Sequence, residues 1–341
     1  MIAGREMALE RIKADGKVGS DEANALCHKF VAYFSDQTHS SGQKAANIIG
    51  CRTRIIQSDK DFRLTKKSLM AAIEEDKSAG LVPFFVCGTF GTTNTTAIDD
   101  LVGIADVAES ERLWYHVDAA YAGAALTCPE FRPLAAGIER ADSFNFNAHK
   151  WMLTNFDCSA MWVADSKHLV NALSIHREYL PRVKGDTSFV KDYRDWQAPL
   201  GRRFRALKLW YVMRMFGASG IRAHIRNHVK QAKWLEEKLI EDGRFEIIAP
   251  VVFGLVVFRI KPNAVNTSRD SEEVDPDVVN KANTDLVKAI QADNRVFLVG
   301  TKIKGNDVVR AAIGSTIGKQ EHVENLLEVV LQLTSNVIDA I

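Results

Sequence analysis

No apolar stretch of the sequence approaches the roughly 20 residues that a membrane-spanning helix requires, so none is expected to cross a bilayer. No sign of charge is in excess: 44 basic against 43 acidic side chains leave no field to recruit nucleic acid or an anionic membrane surface. Its five cysteines, Cys27, Cys51, Cys87, Cys128 and Cys158, are scattered, odd in number and never spaced as CxxC. That pattern excludes a disulfide framework and a cysteine zinc site, suggests no metal, and fits buried thiols in a reducing cytoplasm. The opening stretch MIAGREMALERIKADGK lacks the unbroken apolar centre of a secretory signal. Internal repeats and low-complexity tracts are missing too. What remains is a 341-residue chain, 46% apolar and 26% charged, long enough for two ordinary domains and composed like a globular protein.

The first half alternates short apolar runs with amphipathic stretches. FVAYFS (30–35), RTRIIQS (52–58), LVPFFVCG (81–88) and LWYHVDAA (113–120) are bounded by turn residues. Between them lie helical patterns such as TKKSLMAAIEEDKSAG and AIDDLVGIADVAES. This alternation predicts βαβ units and a mainly parallel sheet covered on both faces. SFNFN and CSAMWVAD follow each other so closely that one pairing is expected to be antiparallel. The second half differs. RVKGDTSFVKDYRD (182–195) reads as a functional loop, and long helical patterns follow it. FEIIAP, FGLVVFRI, VFLVG and VVRAAIG then read as strands of a smaller sheet. A closing helix carries Val323, Leu326, Leu327 and Val330 at i, i+3, i+4 and i+7. The expected organisation is a large α/β domain over 1–207 and a smaller α+β domain over 208–341.

Ligands of open parallel sheets bind beyond the carboxyl ends of the strands, which directs attention to four polar endings: SDQTHSS (35–41), GTFGTTNTT (88–96), HVDAAYAG (116–123) and NFNAHKW (145–151). Taken singly, Lys150 is what a solvated loop lysine looks like, Asp118 a turn residue or helix cap, and His39 or Thr93 ordinary turn residues. Taken jointly, a lysine at one strand end and a carboxylate at another are what pyridoxal phosphate chemistry requires. The amine forms a Schiff base with the cofactor aldehyde, and the carboxylate keeps the pyridine nitrogen protonated so that the ring can accept electrons.

SDQTHSS, HVDAAYAG, ADSFNFNAHKW, NFDCSAMWV and DYRDWQAPLGRRFRALKLW resemble the aromatic L-amino-acid decarboxylases, group II pyridoxal phosphate enzymes. The resemblance runs from the first residues to the last helix. It implies the aspartate-aminotransferase type of fold (fold type I), pyridoxal 5'-phosphate as cofactor, a homodimer, and decarboxylation of an aromatic L-amino acid to its amine. The substrate would be of the DOPA, tyrosine, tryptophan or 5-hydroxytryptophan type. Position by position, it implies Lys150 as the Schiff-base lysine, Asp118 as partner of the pyridine nitrogen and His39 stacked over the ring. Ala120 would pack on the ring and Thr93 would be its polar neighbour. Ser143, Asn147 and His149 would lie on the phosphate side, and Tyr179 would reprotonate Cα. Relatives that release aldehydes replace that tyrosine with phenylalanine or the histidine with asparagine; both are kept here. Gly201, where histidine decarboxylases carry serine, would leave room for an aromatic ring.

Two departures stand against the pattern. The family's upstream third, with its arm helices and a Gly-Gly-Ser-Glu phosphate loop, has no counterpart before MIAGREMALER, and Ala148 replaces the proline of NPHK. A non-catalytic truncated remnant that pairs with a full-length relative, or a histidine decarboxylase, are the competing expectations.

Overall fold

The computed structural model describes residues 1–15, 22, 25–174, 192–265 and 274–341. Helix α1 (Ile2–Ala14) precedes strand β1 (Phe30–Ser35), whose six residues are all buried. Then come α2 (Ser41–Ile49), β2 (Arg52–Ile56), α3 (Lys66–Ser78), β3 (Val82–Thr89), α4 (Leu101–Glu111) and β4 (Trp114–Asp118). The helix starts follow the side-chain chemistry: Thr65 and Ser68 form a reciprocal capping box on α3, and the Asp100 carboxylate accepts the Gly103 N–H on α4. β5 (Ser143–Asn147) leads into the one-turn helix α5 (Ala148–Trp151), then β6 (Ser159–Val163) and α6 (Lys167–Leu173).

These six strands form one sheet in the order β2-β1-β3-β4-β5-β6. Every pairing is parallel except β5 with β6, where Ser143 faces Val163 and Asn147 faces Ser159. The predicted βαβ alternation and the antiparallel pair are both observed. Chain order reverses at β1, which lies between β2 and β3, so a crevice opens beyond its carboxyl end. One face of the sheet packs Tyr33, Val86, Tyr115 and Val117 against Leu69, Ile73, Ile104 and Ala105 of α3 and α4. The other packs Phe34, Phe85, Cys87 and Trp114 against Ala3, Ala8 and Leu9 of α1 and Leu169 of α6.

Helix α7 (Arg205–Asp242) is interrupted at Gly217, whose φ of 61° and ψ of −179° are open essentially to glycine alone. Beyond that kink, Ile221 and Ile225 enter the first core, while Ala232, Leu235 and Leu239 enter a second one. The line expected at 207/208 thus falls in the first turn of a helix that serves both cores. The second core lies under an antiparallel sheet ordered β7-β8-β10-β9, made of β7 (Phe245–Ile247), β8 (Leu255–Ile260), β9 (Val299–Ile303) and β10 (Asn306–Ala312). Helices α8 (Pro276–Asp293) and α9 (Gln320–Asp339) complete it, with Val323 and Val330 buried as the spacing predicted. One strand is displaced from expectation: VFLVG (296–300) was the predicted run, and the strand begins only at Val299. Lys304 and Gly305, with φ of 47° and 85°, make a tight two-residue turn that sets Ile303 opposite Asn306. Leu298 is left to fill the core instead.

Candidate active site

Side chains alternate across a strand, and the alternation builds the site. Phe85, Cys87 and Thr89 of β3, Trp114, His116 and Asp118 of β4, Ser143, Asn145 and Asn147 of β5, and Ser159, Met161 and Val163 of β6 share one face. Together they floor a cavity of about 740 Å³. Its apolar end lies against α1 and α6. At its polar end, beyond the carboxyl ends of the strands, are His39, Thr93, Asp118, Ala120, Asn147 and Lys150, six of the residues singled out in the sequence.

Each polar group is held by its local backbone. The Asp118 Oδ1 accepts the Ala120 N–H at 2.9 Å, and the Ala120 carbonyl accepts the Asn147 N–H at 3.0 Å. These two bonds tie the ends of β4 and β5 together. Lys150 sits in the turn that follows Asn147, exposed, and its Nζ has no hydrogen-bond partner among the described residues. Ala148 opens that turn at the first helical position, the one a proline would suit. The His39 Nδ1 accepts the Ser41 N–H at 3.2 Å and lies 2.9 Å from the Ser41 hydroxyl, which places the ring proton on Nε2. Thr93 is tied through its carbonyl to the Arg310 guanidinium of β10, so the second sheet touches the site.

The turn bearing Lys150 is clamped from outside. Lys208 Nζ donates to the carbonyls of Asn155 (2.9 Å) and Asp157 (2.6 Å). Arg203 and Arg205 pair with the Asp157 carboxylate at 2.7 and 2.9 Å. The basic run RRFRALK thereby acquires a purpose.

Three expected site residues lie away from that polar end. Ser143 lines the cavity but at the start of β5, roughly 13 Å of strand from Asn147. There its hydroxyl accepts the Trp114 indole N–H and meets His116 Nδ1, both at 2.8 Å. His149 does not line the cavity; its Nδ1 accepts the Cys158 N–H at 3.0 Å and its ring meets the edge of Phe156. Gly201 is exposed with open space about it, apart from the cavity, because the chain before α7 runs over the surface. Tyr179 lies outside the described residues, as does most of the predicted loop.

Conversely, His116, Cys87, Ser41 and Tyr121 line the cavity although none was singled out as a site residue from the sequence. His116 and Cys87 were discoverable, since each stands two residues before a residue already singled out or beside its strand neighbour. Burial pushes the His116 imidazole down to about 4 and the Cys87 thiol up. Both groups are therefore neutral beside Asp118 near pH 7.

The donor set fits the ring and aldehyde of a flat pyridine aldehyde. It offers an amine at one strand end, a carboxylate at another, an imidazole, and the small Ala120 to accept a ring face. The Asn147 carbonyl oxygen takes the Ser159 hydroxyl, so its amide nitrogen is left to donate. Among the described residues no cluster of His, Cys, Asp or Glu could hold a metal ion, and no helix is long and apolar enough to cross a membrane.

Comparison with known proteins agrees with this fold. The pyridoxal-dependent decarboxylase conserved domain matches residues 1–261. The chain is 43% identical over 340 residues to phenylacetaldehyde synthase of Arabidopsis thaliana, covering 98% of this chain and 66% of that protein. It is 42% identical over 340 residues to aromatic-L-amino-acid decarboxylase of Cavia porcellus, covering 99% and 67%. Among solved structures, Oryza sativa TDC with PLP and tryptamine superposes with a TM-score of 0.90 at 37% identity, over 99% of this chain and 67% of that one. The fold expected from the resemblance is thus borne out. The chain spans about two thirds of the length of these relatives.

Proposed function

Because the chain belongs to the pyridoxal-dependent decarboxylase family, we propose that it binds pyridoxal 5'-phosphate and decarboxylates an aromatic L-amino acid to the amine. The observation that carries the proposal is the convergence of Lys150, Asp118 and His39 on one cavity at the carboxyl edge of the sheet. When bound, the cofactor supplies an aldehyde for amines and a ring that accepts the electron pair left by departing carbon dioxide. In this proposal Lys150 would be the amine that holds the aldehyde. Asp118, fixed by the Ala120 N–H, would pair with the ring nitrogen and keep its proton in place. Ala120 would present one wall for the ring, and His39, with its proton on Nε2, would present another. Thr93 and the Asn147 amide would offer polar contacts, and Tyr179 would be the proton donor to Cα. The far end of the same cavity is apolar, walled by Phe34, Phe85 and Trp114.

The retained His39 and Tyr179 support release of the amine. The match to a phenylacetaldehyde synthase makes the aldehyde the product to test against it. A homodimer belongs to the same proposal. It is supported by the first half of α7, which leaves Trp210, Tyr211, Met213 and Met215 exposed beside Phe204 and Phe156. So does a cytoplasmic setting, supported by five free cysteines.

The test is a visible absorbance titration with pyridoxal phosphate, run on the native chain and Lys150→Ala. A band present only in the native chain is expected, followed by amine formation from phenylalanine, tyrosine, tryptophan or DOPA. An identical spectrum in both proteins would defeat the proposal in favour of a non-catalytic remnant, and aldehyde without amine would overturn the product.

A further inference from the structure

Trp151 follows Lys150 directly and is 1% exposed. Its indole stacks on Tyr121, with ring centroids 4.8 Å apart and planes at 11°, and Tyr121 in turn follows Ala120. The indole N–H donates to His228 Nδ1 at 3.0 Å. His228, also 1% exposed, lies on the part of α7 that passes between the two cores. Its Nε2 reaches the Ser315 carbonyl at 3.2 Å, in the segment just after β10. Since an indole N–H only donates, Nδ1 must be the acceptor and Nε2 must carry the proton. A single neutral tautomer satisfies both bonds.

The surroundings preserve that tautomer. Burial lowers the His228 pKa, with the Ser315 carbonyl opposing, and the His224 ring lies against it with centroids 4.2 Å apart and planes at 65°. His224 is itself pushed down to about 4 by burial and by His228. A fully buried imidazole linking the lysine turn, a long helix and the second sheet has no part in the chemistry described above. Packing alone would be served as well by leucine or phenylalanine, without the desolvation of three polar atoms.

We propose that the Trp151–His228–Ser315 relay is a positioning device that sets the Lys150 turn according to the seating of the C-terminal sheet. It rests on the assignment of Lys150 as the amine that holds the cofactor. A shift of the segment after β10 moves the Ser315 carbonyl, then His228, then the indole whose backbone is continuous with Lys150. His228 and Trp151 are positioning residues and touch neither cofactor nor substrate.

The experiment uses the 341-residue chain with pyridoxal phosphate and borohydride, following the rate at which Lys150 is covalently labelled by peptide mapping. The variants are His228→Leu, which removes the acceptor; His228→Asn, whose side-chain oxygen can replace Nδ1; and Trp151→Phe, which keeps a ring on Tyr121 and removes the donor. Labelling is expected to slow about fivefold in His228→Leu and Trp151→Phe, the worth of one ordinary hydrogen bond, and to return to near native in His228→Asn. Should His228→Leu fail to fold, Trp151→Phe against His228→Asn makes the same comparison. Equal slowing in Asn and Leu, or native labelling in Trp151→Phe, would overturn the relay. If the native chain is not labelled at Lys150, the site assignment itself fails and the relay with it. Labelling that no variant alters sinks the relay alone.

Discussion

Asp99 lies just outside the cavity and offers a quantitative test of how the site is braced. It is 3% exposed, and its carboxylate accepts the Leu64 N–H at 2.6 Å and the Thr89 N–H at 2.7 Å. It thereby ties the approach to α3 to the end of β3, where the Thr93 loop begins. Burial raises its pKa from the ordinary value to about 7, with the two N–H bonds pulling the other way. In the unfolded chain the group titrates near ~3.9. The folded chain therefore holds this proton more tightly, and between roughly pH 4 and 7 the contribution of Asp99 to stability falls as pH rises. The limiting slope is about 1.4 kcal/mol per pH unit, so the full window is worth on the order of 4 kcal/mol. Asp99→Asn cannot titrate, and its amide NH2 confronts one of the two N–H donors, costing about 1–3 kcal/mol. Urea unfolding at pH 5 and pH 8 should show Asp99→Asn less stable than native at pH 5. By pH 8 that deficit should shrink by a few kcal/mol or change sign, other titrations cancelling in the difference. A deficit identical at the two pH values would refute the account and mean that Asp99 is ionised throughout.

Two further outcomes are expected. Lys208→Met removes both bonds to the Asn155 and Asp157 carbonyls; amide exchange in 152–158 should rise about tenfold or more, a charge-assisted bond being worth about 1.5–3 kcal/mol, with the rest of the chain unchanged. Gly217→Ala loses no contact, since nothing lies within 4 Å of the added Cβ. It should nevertheless cost about 1–3 kcal/mol in denaturant unfolding, from backbone strain alone.

How far the sequence foretold this structure depended on whether the signal was local. Strands such as FVAYFS announced themselves because all six residues are buried, and the polar endings were legible because parallel strands place their carboxyl ends on one edge. The antiparallel β5–β6 pair followed from the short connection. Less local features were hidden. The displacement of β9 was set by a two-residue turn downstream, not by the apolar run itself. His116 was read as part of a strand, although its spacing from Asp118 already put both on one face. Gly201 and His149 were placed by resemblance, and neither lines the cavity in this chain. The role of α7 in both cores could not be read at all, because helical periodicity says which face is apolar but not which core receives it.

The reversal of β6 has a consequence for what this edge of the sheet can tolerate. A parallel strand there would have needed a long crossover, free to vary in length as crossovers do. Instead the chain leaves β5 at Asn147 and re-enters the sheet at Ser159, opposite the residue it left. Lys150 is therefore carried on a fixed-length bridge whose abutments are hydrogen-bonded to each other. Adding or deleting a single residue in that bridge would transmit a displacement directly to the amine, or force β6 to slip and turn its cavity-facing side chains outward. Surface loops elsewhere can drift in length, but this span is a gauge whose calibration is the reach of one lysine.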